Sequence, residues 1–138
     1  MKKNPPIYLD AKAMQGEGAT AAALMKNPLF RGGSFEPRAH QGAGKAEIIQ
    51  KAGKVYLVFD DAFKTDPGPL LHVFLSAKSN PQTSSELHSA GVADLGLLKN
   101  PRGAQTYEIT PDKLGADWKS VIIYCVPFKV LFALAELK

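Results

Sequence analysis

The sequence predicts an all-β domain, an antiparallel β-sandwich or barrel of about 7–8 strands with a short N-terminal helical extension. Three observations support this fold class. Short apolar runs follow one another from Gly32 onward, turn residues separate them at roughly even spacing, and the strongest runs are rich in β-branched residues. Such a series of short strands is typical of antiparallel sandwiches and barrels.

Size and composition indicate a globular chain. The 138 residues are 45% hydrophobic and 22% charged, which are ordinary values for one domain. A chain of this length buries roughly two-thirds of its unfolded surface, so it needs no disulfide or metal to fold. The net charge of +4 is spread along the chain and forms no basic stripe with aromatics. This distribution argues against nucleic-acid binding.

The chain divides into an N-terminal extension, residues 1–31, and a β domain, residues 32–138. Within the extension, the alanine-rich run Thr20–Lys26 predicts two turns of helix, which end before Asn27–Pro28. Met1–Lys3 is followed by prolines and mixed residues, so the N-terminus does not resemble a secretory signal. This predicts either a cytoplasmic protein or a mature or trimmed form of the chain. No stretch approaches the roughly 18 apolar residues of a membrane span.

The first strands of the β domain form a predicted hairpin. Lys45–Gln50 and Val55–Phe59 are the two strands, and Lys51–Lys54 has the length of a hairpin connection. Asp66–Pro69 is a strong turn signal. The apolar run Leu70–Ser76 follows it and predicts a further strand.

The second half of the domain begins with the polar stretch Lys78–Ser89, which is interpreted as the longest loop. Asp94–Leu98 and Ala104–Ile109 are short candidate strands. Ser120–Val126 is apolar on both faces and β-branched, which predicts a central buried strand. Phe128–Leu137 is predicted as the final strand, although its second half alone also fits a helix.

The motifs of common active sites are absent. The sequence has no phosphate-binding glycine loop, no G-x-S-x-G and no H-E-x-x-H, so the domain is not expected to be an enzyme on its own. His40, His72 and His88 lie far apart and share no metal-ligand spacing, so no metal site is predicted. The adjacent Asp60 and Asp61 are explained by turn chemistry.

Cys125 is the one cysteine, which excludes an internal disulfide and the C-x-x-C spacings of dithiol and covalent haem sites. It is either a small core hydrophobe, or a redox thiol or ligand at a strand end beside Pro127 and Lys129. His72 is a second candidate. If its strand lies beside that of Cys125, the two would meet or face a shared cofactor; otherwise His72 is a hydrogen-bonded strand histidine.

Four segments, in order along the chain, resemble the DM-thirteen domain family. They are Gly33–Phe35, Gly68–Ser76, Leu95–Lys99 with Gly103, Gln105 and Tyr107, and Ser120–Cys125 with Phe128 and Phe132–Ala133. The resemblance covers about Gly32 to Leu137. It implies an electron-transfer domain in a periplasmic or extracellular setting.

The resemblance also implies a role for Cys125, as a bare thiol or as the residue that holds a prosthetic group such as haem. The family usually has an acidic residue after the glycine–proline pair, and Leu70 occupies that position in this sequence. The cluster of Gly103, Gln105 and Tyr107 is interpreted as structural, through turn geometry and a side chain that pairs with the backbone.

Two functional hypotheses remain. The first is a redox or electron-transfer domain that uses Cys125, with His72 as a second member, and works with a redox partner. The second is a non-catalytic β module that binds a protein, a sugar or the cell surface, with Cys125 buried and inert. Fold alone does not separate them.

Overall fold

The computed structural model describes residues 31–114 and 117–138. The predicted extension up to residue 30, with its helix over Thr20–Lys26, lies outside the described residues. Within the described part, an eight-stranded antiparallel sheet curls into a nearly closed barrel, with a separate two-stranded ribbon and one short α-helix. The predicted all-β antiparallel fold is therefore confirmed.

The elements follow one another along the chain in this order: β1 (Arg31–Pro37), β2 (Gly42–Ala43), β3 (Lys45–Lys51), β4 (Lys54–Phe59), β5 (Lys64–Thr65), β6 (Leu71–Ser76), α1 (Ser84–Ala90), β7 (Val92–Leu97), β8 (Gln105–Ile109), a 3₁₀ turn (Pro111–Lys113), β9 (Ser120–Cys125) and β10 (Val130–Glu136).

The strand order of the large sheet is β7-β6-β9-β10-β1-β3-β4-β8, and every neighbouring pair is antiparallel. Strands β2 and β5 form the separate ribbon. The edge strands β7 and β8 approach each other through side chains. The main-chain N–H of Lys99, just after β7, donates to the Tyr107 hydroxyl of β8 at 2.8 Å, so side-chain contacts help to close the barrel.

The pairing fixes two ends of the barrel. The thiol end is the end at which β9 finishes, and it carries the loops 38–44, 60–70, 98–104 and 126–129. The opposite end carries the hairpin turn 52–53 and the connections 77–91 and 110–119. The thiol in question is that of Cys125, the last residue of β9.

Strand β9 is the centre of the core, as its sequence predicts. All six of its residues are buried. Val121, Ile123 and Cys125 point into the barrel, whereas Ile122 and Tyr124 belong to a second apolar cluster on the outer face. Helix α1 contributes its buried Leu87 to that outer cluster. Apolar contacts on both faces explain why β9 lacks alternation.

The predicted hairpin is confirmed as β3 and β4, with Lys51 opposite Lys54. The two residues between them, Ala52 and Gly53, both have positive φ, 53° and 80°. Positive φ at both positions is the mark of a type I′ turn, whose twist matches that of the flanking strands.

The interpretation of Lys78–Ser89 as a loop is wrong at its C-terminal end, where α1 begins. The Thr83 side chain accepts from the Glu86 N–H at 3.1 Å, and the Glu86 carboxylate accepts from the Gln82 N–H at 3.0 Å. Leu87 is the only buried residue of the helix. A seven-residue helix with one buried position gives no periodic apolar pattern. Its sequence signal is therefore the pair of capping residues at its N-terminus rather than hydrophobic periodicity.

Strand β1 was not predicted, because Phe35 is its only buried residue. Its glycines have a packing role. A Cβ added at Gly33 would overlap the main-chain oxygen of Glu136, so glycine allows β1 to approach the end of β10.

The final segment is a strand, β10, as predicted. A register shift between Leu131 and Ala133 interrupts its pairing with β9. Because of this irregularity, Phe132 and Ala133 both join the barrel core, while Leu131 and Leu134 join the outer cluster. Strand β7 also contains an irregularity, near Gly96, whose φ is +101°. Such shifts break the strict alternation expected of a regular strand.

Candidate functional site around Cys125

Cys125 lies at the end of β9 and points into the barrel at the thiol end. It pairs with Leu71 of β6 on one side and with Val130 of β10 on the other. Its exposed fraction is 0%. Its Sγ donates a hydrogen bond to the main-chain oxygen of Pro69 at 3.3 Å. The thiol is therefore enclosed, and it bonds to the backbone of a loop.

That loop is the thiol cap, defined as Asp66–Leu70. In addition to the bond from Cys125 to Pro69, the cap packs closely against Phe132 through Gly68. A Cβ added at Gly68 would lie only 2.8 Å from the Phe132 ring. The main-chain N–H of Val126 donates to the Leu70 oxygen at 3.4 Å. These contacts place the thiol cap between Cys125 and the surface.

The cap is anchored at its first residue. Gln41 Nε2 donates to Asp66 Oδ1 at 2.7 Å, and His40 Nδ1 lies 3.0 Å from Asp66 Oδ2. The His40 ring also stacks on Phe132, with ring centroids 3.8 Å apart. The hydrogen bonds from Gln41 and His40 lower the pKa of the Asp66 carboxyl below its ordinary value. In its charged form, the Asp66 carboxylate therefore links the thiol cap to the loop 38–44.

The other end of the cap holds Leu70 in an unusual conformation. Its φ is +48°, in the left-handed region that residues other than glycine, asparagine and aspartate seldom adopt. Its side chain is 57% exposed. The backbone therefore holds an apolar side chain outward.

Leu70 belongs to a group of exposed apolar side chains at the thiol end, named the apolar rim. All the large hydrophobic residues that are exposed in the described chain are in it: Leu70, Leu97, Val126 and Phe128. A hollow of about 210 Å³ lies beside the cap. It is lined by Pro67, Gly68, Leu70, Leu71, Leu97, Leu98 and Pro101.

His72 lies on the strand beside that of Cys125, but its side chain is on the other face. In register, Leu71 pairs with Cys125 and His72 pairs with Tyr124 of the outer cluster. The His72 Nδ1 lies 2.9 Å from Asp94 Oδ1. The structure therefore does not bring His72 and Cys125 to one site. His72 is a strand histidine with a hydrogen-bonded carboxylate partner.

The arrangement around Cys125 does not fit a haem. Ligand pockets usually measure roughly 300–1,000 Å³, and the hollow beside the cap is smaller. The sulfur lies beneath the thiol cap, and His72 faces away from it. Among the described residues, no group of three or more His, Cys, Asp or Glu side chains is placed to hold a metal ion.

The other residues considered from the sequence make hydrogen bonds that stabilise the fold. The Nδ1 of His88 lies 2.8 Å from the Ser84 oxygen within α1. Asp60 Oδ1 accepts from the N–H of Lys45 at 3.0 Å, which is turn chemistry. Gln105 Nε2 donates to the main-chain oxygens of Asn100 and Gly103 at 2.8 and 3.1 Å, the backbone pairing that the sequence predicts.

Sequence reasoning did not single out the apolar rim beyond Leu70. A signal was present in the connection between β9 and β10, where Val126 and Phe128 occupy turn positions that usually carry polar residues.

Within the described residues, no helix is long and apolar enough to cross a membrane.

Comparison with known proteins supports one family. No curated protein and no solved structure matches the chain. A family model described as "Electron transfer DM13" matches residues 34–137. The match covers most of the chain, including β6, the thiol cap and β9. This chain therefore belongs to the Electron transfer DM13 family.

Proposed function

We propose that this domain transfers electrons through the Cys125 thiol itself, without a prosthetic group, and that the thiol cap limits access to the sulfur. One observation carries the proposal. Cys125 is buried at the end of β9, and its sulfur bonds to the thiol cap at the one end of the barrel where exposed apolar residues gather in the described chain. Family membership supports the class of function.

The chemistry requires the Cys125 thiol, a partner that carries a disulfide, and a second thiol. After the cap moves, the Cys125 sulfur, as thiolate, attacks one sulfur of the partner's disulfide. A new S–S bond forms and the partner's S–S bond breaks. The departing sulfur leaves as thiolate and takes up the proton that Cys125 lost, so the Cys125 sulfur loses one electron and the departing sulfur gains one. A low-molecular-weight thiol then attacks the Cys125 sulfur of this mixed disulfide and releases the partner's other sulfur, so the partner gains two electrons, one from each thiol. An oxidising compartment, as the family resemblance implies, would supply such disulfides.

The second candidate is a binding module with an inert thiol. The observation that favours it is the complete burial of Cys125 among apolar side chains. A buried cysteine of this kind is commonly a small core residue. The two functions differ in one measurable property, which is how the sulfur becomes accessible.

The test is native-state labelling of the thiol with an aromatic disulfide reagent, which releases a coloured thiolate. If a local opening that costs about 3 kcal/mol exposes Cys125, labelling is about a hundredfold slower than in the unfolded chain. If only global unfolding exposes it, labelling is slower by a factor of roughly 10⁴ or more. We expect labelling to take place through local opening, so that low concentrations of urea hardly change the labelling rate.

A matched control is the double variant Cys125→Ser/Val121→Cys. Val121 is on the same strand and the same inward face, is also 0% exposed, and lies near the opposite end. We expect its thiol to react only through global unfolding. Equal rates at the two positions, both following global unfolding, would refute the redox proposal and leave the binding module.

Haem addition tests the bare-thiol part of the proposal separately. We expect the wild type and Cys125→Ser to give the same visible absorption band when haem is added. A band shift in the wild type that is lost in Cys125→Ser would instead show ligation by this sulfur.

A further inference from the structure

The thiol end carries a surplus of positive charge as well as the exposed apolar residues. The loops at the thiol end contain five basic residues and three acidic ones. These are Arg38, Lys64, Lys99, Arg102 and Lys129, against Asp60, Asp61 and Asp66. The connections 77–91 and 110–119 are balanced, with Lys78, Lys113 and Lys119 against Glu86, Asp112 and Asp117, but Lys51, Lys54 and Lys138 also lie at the opposite end. The thiol end therefore combines a positive surplus with the apolar rim.

Two basic residues adjoin the wall of the hollow, and a third adjoins the apolar rim. Lys64 forms an isolated β-bridge with Arg102, which follows Pro101 in the wall of the hollow. Lys129 follows Phe128 of the rim and is exposed. Asp66 is already bonded to Gln41 and His40. Positive charge is thus left available beside the hollow and beside the apolar rim.

We infer that the apolar rim and its basic border, defined as Lys64, Arg102 and Lys129, form a docking face for an acidic protein. That protein would present an apolar side chain to the hollow. This inference rests on the proposed function, because the face lies over Cys125 and the partner would carry the disulfide. Charge complementarity favours this occupant. A central apolar anchor within a charged border is the usual arrangement of a protein interface.

The same charges disfavour two other occupants. A second copy of the domain would bring its own basic border against this one, and like charges across an interface oppose association. Residues 1–30 contain four lysines against one aspartate and one glutamate, so they do not complement the face either. An anionic membrane would match the charge, but a flat lipid surface has no side chain to fill a hollow.

The binding test uses the full chain with Cys125→Ser, so that no thiol chemistry takes part. The probes are two fluorescent peptides with a central leucine–phenylalanine pair, one flanked by glutamates and the other by lysines. Anisotropy titrations at several salt concentrations give Kd. We expect the glutamate peptide to bind at least about tenfold more tightly at low salt, with a difference that shrinks as salt rises.

Variants locate the site. Phe128→Ser removes an exposed rim side chain and is expected to weaken the glutamate peptide about tenfold. Lys129→Glu should weaken it severalfold and reduce its salt dependence. The matched control Lys54→Glu makes the same charge change in the hairpin at the opposite end, where it should leave Kd unchanged.

Several outcomes would overturn the inference. Equal affinity for the two peptides, or equal effects of Lys129→Glu and Lys54→Glu, would exclude a specific acidic partner. Cosedimentation with phosphatidylserine vesicles that Phe128→Ser abolishes would identify a membrane face instead. A dimer at about 50 μM that Phe128→Ser dissociates would identify a second copy. Because the peptides carry no disulfide, docking can fail while Cys125 labelling succeeds, and the reverse.

Discussion

The two ends of this barrel are held in different ways. At the opposite end, the Arg31 guanidinium donates to the main-chain oxygens of Trp118 and Leu137 at 2.7 and 2.9 Å and to the Asp117 carboxylate at 2.9 Å. At the thiol end, the exposed apolar rim surrounds a cap whose Leu70 has a left-handed backbone. Arg31 links separate segments at the opposite end, whereas the thiol end, whose loops are also hydrogen-bonded, presents apolar surface to solvent.

Main-chain bonds at the thiol end vary in length. Leu98 N–H donates to the Leu71 oxygen at 2.8 Å, but the bond beside Cys125 is long. Leu137 N–H donates to the Lys119 oxygen at 2.9 Å, whereas Val126 N–H reaches the Leu70 oxygen at 3.4 Å. Longer hydrogen bonds are weaker. We therefore expect the thiol cap, at its Leu70 end, to open before the rest of the barrel, which is the property that access to Cys125 requires. Substitutions at the two ends should therefore differ in their effects.

The largest effect is expected from Gly33→Ala. The added Cβ would overlap the main-chain oxygen of Glu136, so β1 and β10 would have to separate beside the hydrogen-bonded end. We expect the free energy of unfolding, measured in urea, to fall by about 3 kcal/mol or more.

Gly53→Ala is the control for this substitution. Gly53 has φ +80° and no atom within 4 Å of an added Cβ, so only backbone strain opposes the change. A loss of about 1 kcal/mol is expected there. If Gly33→Ala loses no more than Gly53→Ala, close approach of β1 and β10 does not hold this end together.

A smaller loss is expected from Arg31→Ala. It leaves the oxygens of Trp118 and Leu137 without their guanidinium donor, and should lower the free energy of unfolding by about 2 kcal/mol. Asp117 is 70% exposed, so its ion pair contributes little of this. Lys119→Ala removes the other cation beside Asp117 and should change stability by less than about 0.5 kcal/mol. Similar losses for the two variants would contradict a special role for Arg31.

The smallest effect is expected from Leu70→Asn in the rim. Asparagine tolerates the left-handed conformation, and relief of strain should offset the lost apolar contact. The free energy of unfolding should therefore stay within about 0.5 kcal/mol of wild type, as measured in urea. A loss above about 1.5 kcal/mol would mean that Leu70 stabilises the fold, and would weaken the case that it is exposed for binding.

Local patterns were sufficient to predict much of the fold. The β-branched run of β9 and the glycine turn between β3 and β4 are encoded by adjacent residues, and the structure confirms both. Strand β1 and helix α1 gave no such signal, because each has one buried side chain. Their positions depend on contacts with distant strands, which one sequence does not reveal.

The candidate site was predicted in part. The sequence identified Cys125 as the distinctive residue and Leu70 as an unusual one, but it could not give the register of β6 against β9. Register decides that Leu71, not His72, lies opposite Cys125. A shift of one residue would move His72 to the inner face, because side chains alternate between the faces of a strand. The separation of His72 from Cys125 is therefore a result of tertiary pairing.

The irregular edge strand β7 has a consequence for solubility. An edge strand offers unpaired main-chain groups to any other strand in solution, and long regular edges promote aggregation. In β7 the register shift, Gly96 with φ +101°, and the charged Asp94, which accepts from the Gly96 N–H at 2.8 Å, make the edge a poor template. The barrel can thus remain incompletely closed without recruiting further chains into its sheet.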